Sequence, residues 1–471
     1  KIELLCDQDD DGIHIRALCL NLFENQWESL SKIPNFINYM NTPVIKAFKK
    51  SITKEFYSDS EYQAWRNEIG EKEADSYRIK FYKGLGSSSK SEWQSYFEDK
   101  KTVAFEHSGE ASKDAIDMAF NKERSSDRKE WLGGYDRELA VDSSKTSVTI
   151  DEFISKELIH FSKADNDRSI PSVIDSLKTS QRKILYCAFL KRVHQEVKVS
   201  SFSGTIAQES SYHHGEQSLQ GCIISLCQSF VGSNNLPLLF GAGQFGTRLQ
   251  GGHDHASPRY VFTKLSKVTR YLYPESDDST LKYLQDDGIS IEPIWYIPII
   301  PTILINSVSG IGTGFSTSIL PHDPRVIVRH LKQRLDGETP CEIQPYFHNF
   351  KGTIEDISAP DASAKYLIKG TYELVGTDEI KITELPIGSW TQDARIHIES
   401  LCDANGKKLI GGKPAVKSFE DWSTDQTVEI VVKFQKGVLA KLLGEKKNMS
   451  ENPDSVHEVD GVEKLLKLYC T

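Results

Sequence analysis

At roughly 150 residues per domain, a chain of 471 residues has room for about three domains, and it can bury a full core without disulfide or metal staples. Hydrophobic residues at 38% and charged residues at 26%, with 17 dispersed prolines, exclude collagen-like, mucin-like and wholly disordered chains. No window approaches the ~18 consecutive apolar residues of a membrane span, and a net charge of -10 argues against a surface that binds polyanions throughout. The eight cysteines are scattered without a Cys-x-x-Cys pair, which favours a reducing compartment over a zinc module or a disulfide framework. Lys1 to Asp7 has neither an initiator methionine nor a signal-peptide layout, so the chain is expected to start within a longer protein.

In chain order, residues 1–6 read as a short buried strand that ends in a carboxylate cluster and Gly12. Ile15, Leu18, Leu22 and Phe23 then recur at helical spacing. Residues 43–48 and 78–82 read as further strands flanking a charged stretch, which makes the first hundred residues α/β. Residues 106–149 are polar and read as a connector containing a charged helix near 113–122. From Asp151 the apolar spacing becomes helical, with short helices near 153–161, 184–189 and 219–230, then a loop at 241–252 holding five glycines. Short helices followed by glycine-rich loops suit a winged-helix domain. Beyond Ile297, strand-like runs at 366–369, 379–382 and 427–434 point to a third, mixed domain. Charge is uneven along the chain: residues 161–270 carry 13 Lys and Arg against 7 Asp and Glu. A basic middle in an acidic chain is the distribution of a protein with one face toward nucleic acid.

Four clusters carry chemistry. Asp7, Asp9 and Asp11 alternate after a strand, so their carboxylates can point one way from an extended turn toward a hard cation such as Mg2+. A solvated acidic turn or helix N-terminus is the alternative. A calcium loop is excluded, because Leu18 stands where that loop needs a bidentate glutamate. Tyr82-Lys83-Gly84-Leu85-Gly86 can bring amides and one cation to a phosphate, or be a plain turn. Tyr212-His213-His214-Gly215-Glu216 offers two histidines; side chains consecutive on a helix diverge by about 100°, which favours a phosphate contact over a shared metal. Arg259-Tyr260 could supply a tyrosine nucleophile with an adjacent cation, a packed aromatic being the alternative.

These segments, together with Asp127-Arg128-Lys129-Glu130-Trp131-Leu132, Arg168-Ser169-Ile170-Pro171, Gln181-Arg182-Lys183, Phe230-Val231-Gly232-Ser233-Asn234-Asn235, Phe245-Gly246-Thr247-Arg248 and Gly310-Ile311-Gly312-Thr313-Gly314, follow one order. In that order the chain resembles the eukaryotic-type DNA topoisomerase II family, strongly over residues 1–320 and loosely beyond. The resemblance implies a multidomain α/β and α+β fold: the C-terminal part of a TOPRIM α/β domain at 1–106, a connector at 107–160, a winged-helix domain at 161–297 and an incomplete mixed α/β tower domain at 298–471. It implies Asp7 and Asp9 as Mg2+ ligands supported by Asp11, and Tyr260 as the nucleophile that becomes joined to a 5′ phosphate, with Arg259 stabilising the transition state. His214 and Arg182 would approach the scissile phosphate. Lys83, Lys183, His213 and Arg248 would contact DNA, and Ile311 would wedge between base pairs; an ordinary core isoleucine is the alternative for the last.

The implied activity is an ATP-dependent type IIA topoisomerase acting on double-stranded DNA as a homodimer, with no membrane association. The nucleus is its expected place if the source is eukaryotic, and the host nucleus or cytoplasm if viral. The metal-sharing Glu-Gly-Asp-Ser strand and the ATP-binding module are expected upstream of Lys1, and a dimer gate beyond Thr471, so the segment alone is expected to be incomplete. Asp10 replaces the family's usual histidine, and Thr179-Ser180 precedes Gln181 where Pro-Gly is usual, which points to a divergent lineage. A TOPRIM-type metallonuclease would use the acidic cluster without needing Arg259-Tyr260. A non-catalytic DNA-bending paralogue would need neither.

Overall fold

In a computed structural model, which describes residues 1–471 apart from 83, 287–288, 403–408 and 411–412, strand Ile2–Leu4 runs parallel to Ile37–Met40, and helix Asp10–Gln26 lies between them in sequence. Ile37–Met40 pairs antiparallel with Thr102–Glu106, which in turn runs parallel to Ser147–Thr149. The first strand is thus an edge strand and only half-buried, not buried as its apolar run suggests. A separate antiparallel sheet orders Ile52–Phe56, Ile45–Lys49 and Arg78–Phe81, and helix Asp59–Ile69 sets Tyr62 and Trp65 against Phe56 at 5.4 and 5.0 Å.

Helix Asp10–Gln26 forms where the sequence places it but turns a different face inward. Ile13, Ala17 and Leu20 are buried, whereas Ile15, Leu18 and Leu22 are exposed. The true inner face includes Arg16, whose cation is accommodated because it donates to the Gly12 carbonyl (3.3 Å) and Gln8 Oε1 (3.0 Å) and lies 4.7 Å from the Tyr39 ring centroid. Hydropathy alone rejects an arginine from a core stripe and so selects the wrong one. The segment read as a connector also departs from expectation. It contains helices Glu110–Phe120 and Ser125–Gly133, supplies strand Ser147–Thr149 to the first sheet, and buries Ile116, Val148, Ile150 and Phe153 in its core. Its apolar residues are few, but nearly all point inward.

The chain divides into two compact units, Lys1–Ile170 with Gly310–Thr317, and Pro171–Ser309 with Ser318–Thr471. In the second, helices Thr179–Leu190, Val199–Glu209 and Glu216–Cys227 surround a small antiparallel sheet of Val197–Lys198, Phe262–Leu265 and Leu239–Ala242. Ile184, Leu185, Ile206, Leu219, Ile223 and Leu239 form its core. Further along, strands Thr371–Gly376, Glu379–Glu384, Ile430–Phe434 and Val416–Asp421 make an antiparallel sheet. Strict in-out alternation along Glu379–Glu384 buries Ile380 and Ile382. The mixed α/β character expected from the sequence is therefore present throughout.

The second unit is also tied internally by charge. Asp175 is fully buried and accepts from Arg182 Nε (2.8 Å) and Nη2 (2.9 Å), and from the amides of Leu177 (3.1 Å) and Tyr296 (2.9 Å). Replacing it leaves a buried guanidinium without its counter-charge, so Asp175→Ala is expected to cost about 3–5 kcal/mol in urea unfolding. A loss below about 1 kcal/mol would mean that solvent or another group compensates.

Candidate functional site

The carboxylates of the acidic turn are held in three different ways. Asp9 caps helix Asp10–Gln26: its extended backbone ends the approach from the strand and its Oδ1 accepts from the Gly12 amide at 2.8 Å. Helical geometry therefore begins at Asp10, and the alternation that would aim Asp7, Asp9 and Asp11 together stops there. Gly12 is required by close approach, since a Cβ at that position would lie 2.0 Å from the Asp7 carbonyl oxygen.

Asp7 reaches the other chemistry-bearing turn of this unit. Its Oδ1 accepts from the Leu85 amide at 2.6 Å, so the glycine-flanked turn after strand Arg78–Phe81 and the acidic turn are joined directly. Lys83 of that turn lies outside the described residues. Asp11 is paired with Arg168, which donates from Nη2 at 2.9 Å and Nη1 at 3.3 Å; this charge-assisted contact keeps the guanidinium pKa above its usual value. Arg168 also lies 5.5 Å from the Phe161 ring centroid, and His14 stacks on the same ring at 3.9 Å. This neighbour of the acidic turn was missed from sequence. Its only signal was membership in the segment Arg168 to Pro171, since no local spacing links residues 157 positions apart.

Among the described residues, no group of three or more His, Cys, Asp or Glu is disposed to hold a metal ion. Mg2+ does not need one: it takes one or two carboxylates and completes its shell with water and substrate phosphate oxygens. Asp7 and Asp9 fit that requirement in chemistry and number. Asp11, engaged by Arg168, is not the third ligand that alternation suggested.

Ile311 resolves the choice left open by the sequence. It is 82% exposed and so is not a core residue. The turn that follows it is closed by the Gly312 amide on the Phe315 carbonyl (2.9 Å) and is anchored to helix Ile159–Ser169 by Asn166 Nδ2 on the Thr313 carbonyl (3.1 Å).

In the second unit, Tyr260 lies just before strand Phe262–Leu265, whose neighbour Val261 is buried while the Tyr260 ring is 66% exposed. The Arg259 guanidinium sits 4.9 Å from that ring's centroid. His213 and His214 are exposed in the loop leading into helix Glu216–Cys227, not on a helix, so the divergence of consecutive helical side chains does not apply to them. His213 Nε2 lies 3.4 Å from Asp286, and His214 packs edge-on to Tyr212 at 5.4 Å.

Three cations expected on the binding surface are turned inward. Arg182 is engaged by Asp175 and also donates to the Leu177 carbonyl at 2.9 Å. Lys183 donates to Glu292 at 2.8 Å and to the Ser210 carbonyl at 2.5 Å. Arg248 pairs with Glu384. All three are buried, because a cation whose hydrogen bonds are filled by a buried carboxylate can enter a core that hydropathy forbids. Exposed chemistry in this unit narrows to Arg259, Tyr260 and the two histidines among the residues singled out from sequence.

The family model for DNA gyrase/topoisomerase IV matches residues 168–452, and that for the C-terminal associated domain of TOPRIM matches residues 40–166. DNA topoisomerase 2-alpha of Homo sapiens is 42% identical over 94% of this chain, which covers 29% of that protein. DNA topoisomerase 2 of Arabidopsis thaliana is 46% identical over 89% of this chain, again covering 29% of the relative. The structure of the Plasmodium falciparum topoisomerase II DNA-binding, cleavage and re-ligation domain superposes with a TM-score of 0.78 at 37% identity, over all of this chain and 61% of that one. The chain thus spans under a third of the length of these curated relatives. With the gyrase/topoisomerase IV model spanning more than half of it, the chain belongs to the DNA gyrase/topoisomerase IV family of type IIA DNA topoisomerases.

Proposed function

We propose that this chain is the DNA cleavage and re-ligation core of an ATP-dependent type IIA topoisomerase, acting on double-stranded DNA within a homodimer. Residues 1–106 would form the C-terminal part of the TOPRIM domain, 161–297 the winged-helix domain and 298–471 the tower. The observation that carries this is the exposed Tyr260 ring beside the Arg259 guanidinium, on a small sheet otherwise packed into a helical core. A tyrosine kept for packing would be buried, and a metallonuclease or a bending scaffold would have no use for the pair.

The reaction is a reversible transesterification. The Tyr260 oxygen attacks a backbone phosphorus as its proton passes to solvent or a base; the new O–P bond joins tyrosine to the 5′ phosphate, and the P–O3′ bond breaks. The 3′ oxygen takes up a proton, and the reverse attack restores the DNA without a ligase step. Arg259 neutralises charge that develops on the phosphate, and His213 and His214 bind it from the loop ahead of helix Glu216–Cys227. Asp7 and Asp9 would hold Mg2+, whose contribution when bound is to polarise phosphate oxygens. ATP would be bound by a further module. Arg182, Lys183 and Arg248 would serve by fixing the scaffold, and Ile311 by entering the base stack and bending the duplex. A eukaryotic source would place the protein in the nucleus, and a viral one in the host nucleus or cytoplasm. Among the described residues, no helix is long and apolar enough to cross a membrane.

In the full-length protein, Tyr260→Phe is expected to abolish the denaturant-trapped protein–DNA adduct while leaving DNA affinity within about twofold, because only the nucleophilic oxygen is lost. Residual adduct would move the nucleophile elsewhere. Asp9→Asn keeps a capping side chain but removes the charge, so thermal stability should hold while half-maximal cleavage requires severalfold more Mg2+. An unchanged Mg2+ titration would remove Asp9 from the metal site. Ile311→Ala should reduce the bend angle, read by fluorescence transfer between duplex ends, and change stability by less than about 0.5 kcal/mol. A normal bend would refute the wedge.

A further inference from the structure

The chain reaches Tyr260 through the glycine-rich loop 241–252, a segment with little rigidity of its own. One side of this loop rests on residues 384–392 of the same unit. The Arg248 and Leu249 carbonyls accept from the amides of Thr391 (3.3 Å) and Gln392 (3.0 Å), and Gln250 Nε2 donates to Gln392 Oε1 at 3.2 Å. Arg248 and Glu384 form a buried ion pair, and Glu384 also accepts the amides of Leu385 (2.9 Å) and Lys351 (3.2 Å). Trp390 covers Gly251 so closely that a Cβ there would stand 2.3 Å from the indole, and the backbone φ of +61° at this position suits glycine as well.

The other side of the loop is tied to the residues that lead into the tyrosine. Thr247 donates its amide and its hydroxyl to Asp254 at 2.8 and 2.5 Å, and the Ala256 amide donates to the Gln244 carbonyl at 2.9 Å. The Pro258 carbonyl accepts from Ser200 at 3.2 Å, and the Tyr260 amide bonds back to Ser257 at 2.9 Å. A continuous set of contacts therefore runs from Glu384, Trp390 and Gln392 to the backbone of Tyr260.

We propose that Glu384, Trp390 and Gln392 are positioning residues for Tyr260, holding the loop so that the tyrosine oxygen stands in line for attack on phosphorus. The proposal rests on the reading of Tyr260 as the nucleophile. In-line displacement tolerates little misplacement: an error of about 1 Å costs on the order of a hundredfold in rate. Residues 384–392 are joined to the loop and not to the strand after Tyr260, so loosening them should move the nucleophile without unfolding the sheet.

The test uses the full-length protein with Trp390→Ala, with Gln392→Ala as a milder second variant should the first fail to fold. Amide exchange over residues 244–256 is expected to quicken at least tenfold in Trp390→Ala. The single-turnover rate of covalent adduct formation at saturating DNA is expected to fall on the order of a hundredfold, with DNA affinity within twofold of wild type. Gln392→Ala should lower the rate in the same way to a smaller extent, and Trp390→Phe, which keeps a ring over Gly251, should recover most of it. An unchanged adduct rate in the folded variants beside a competent wild type would overturn the positioning role alone, as would a rate loss matched by an equal loss of DNA affinity. A wild-type protein that forms no adduct would overturn the Tyr260 reading and this proposal with it.

Discussion

Burial of cations against carboxylates organises the second unit. Asp175 on Arg182, Glu292 on Lys183 and Glu384 on Arg248 each place a full charge pair where water is nearly absent. Such pairs persist only when every donor is matched, since removing one partner leaves an uncompensated charge that costs several kcal/mol. The consequence extends beyond stability. The pairs fix the helix Thr179–Leu190, the segment around Tyr296 and the glycine-rich loop relative to one another. Three basic side chains are thereby withdrawn from the surface, and the polar chemistry that remains outside is concentrated at Arg259, Tyr260, His213 and His214.

A similar economy governs the acidic turn of the first unit. One carboxylate starts a helix, one anchors the neighbouring turn through the Leu85 amide, and one is matched to Arg168. Four consecutive or near-consecutive aspartates would repel one another if left alone; distributing them over an amide, a helix N-terminus and a guanidinium offsets that repulsion. It also leaves Asp7 and Asp9 as a small oxygen-rich set of the size that Mg2+ accepts when a phosphate completes its shell.

Much of this was legible in the sequence. The order of strand, acidic turn and helix, the three short helices around the small sheet, and the strands at 366–369 and 379–382 all follow from periodicity and turn residues. Local spacing could not reveal which stripe of helix Asp10–Gln26 faces inward, because that depends on Gln8 and the Gly12 carbonyl satisfying Arg16. Nor could it separate exposed from buried cations. Arg182 and Arg259 look alike as residues beside a motif, and only a carboxylate brought from elsewhere in the fold distinguishes them. Arg168, Glu384 and Trp390 escaped for the same reason: their partners lie more than a hundred residues away.

The most direct measurement is identification of the amino acid that carries DNA after a cleavage reaction is stopped with denaturant, the adduct digested with nuclease and protease, and the peptide sequenced by mass spectrometry. A nucleotide joined through its 5′ phosphate to the oxygen of Tyr260 is the predicted result. A link to any other residue, a link through the 3′ phosphate, or cleavage of DNA without any covalent adduct would contradict the assignment of this chain as a transesterifying core.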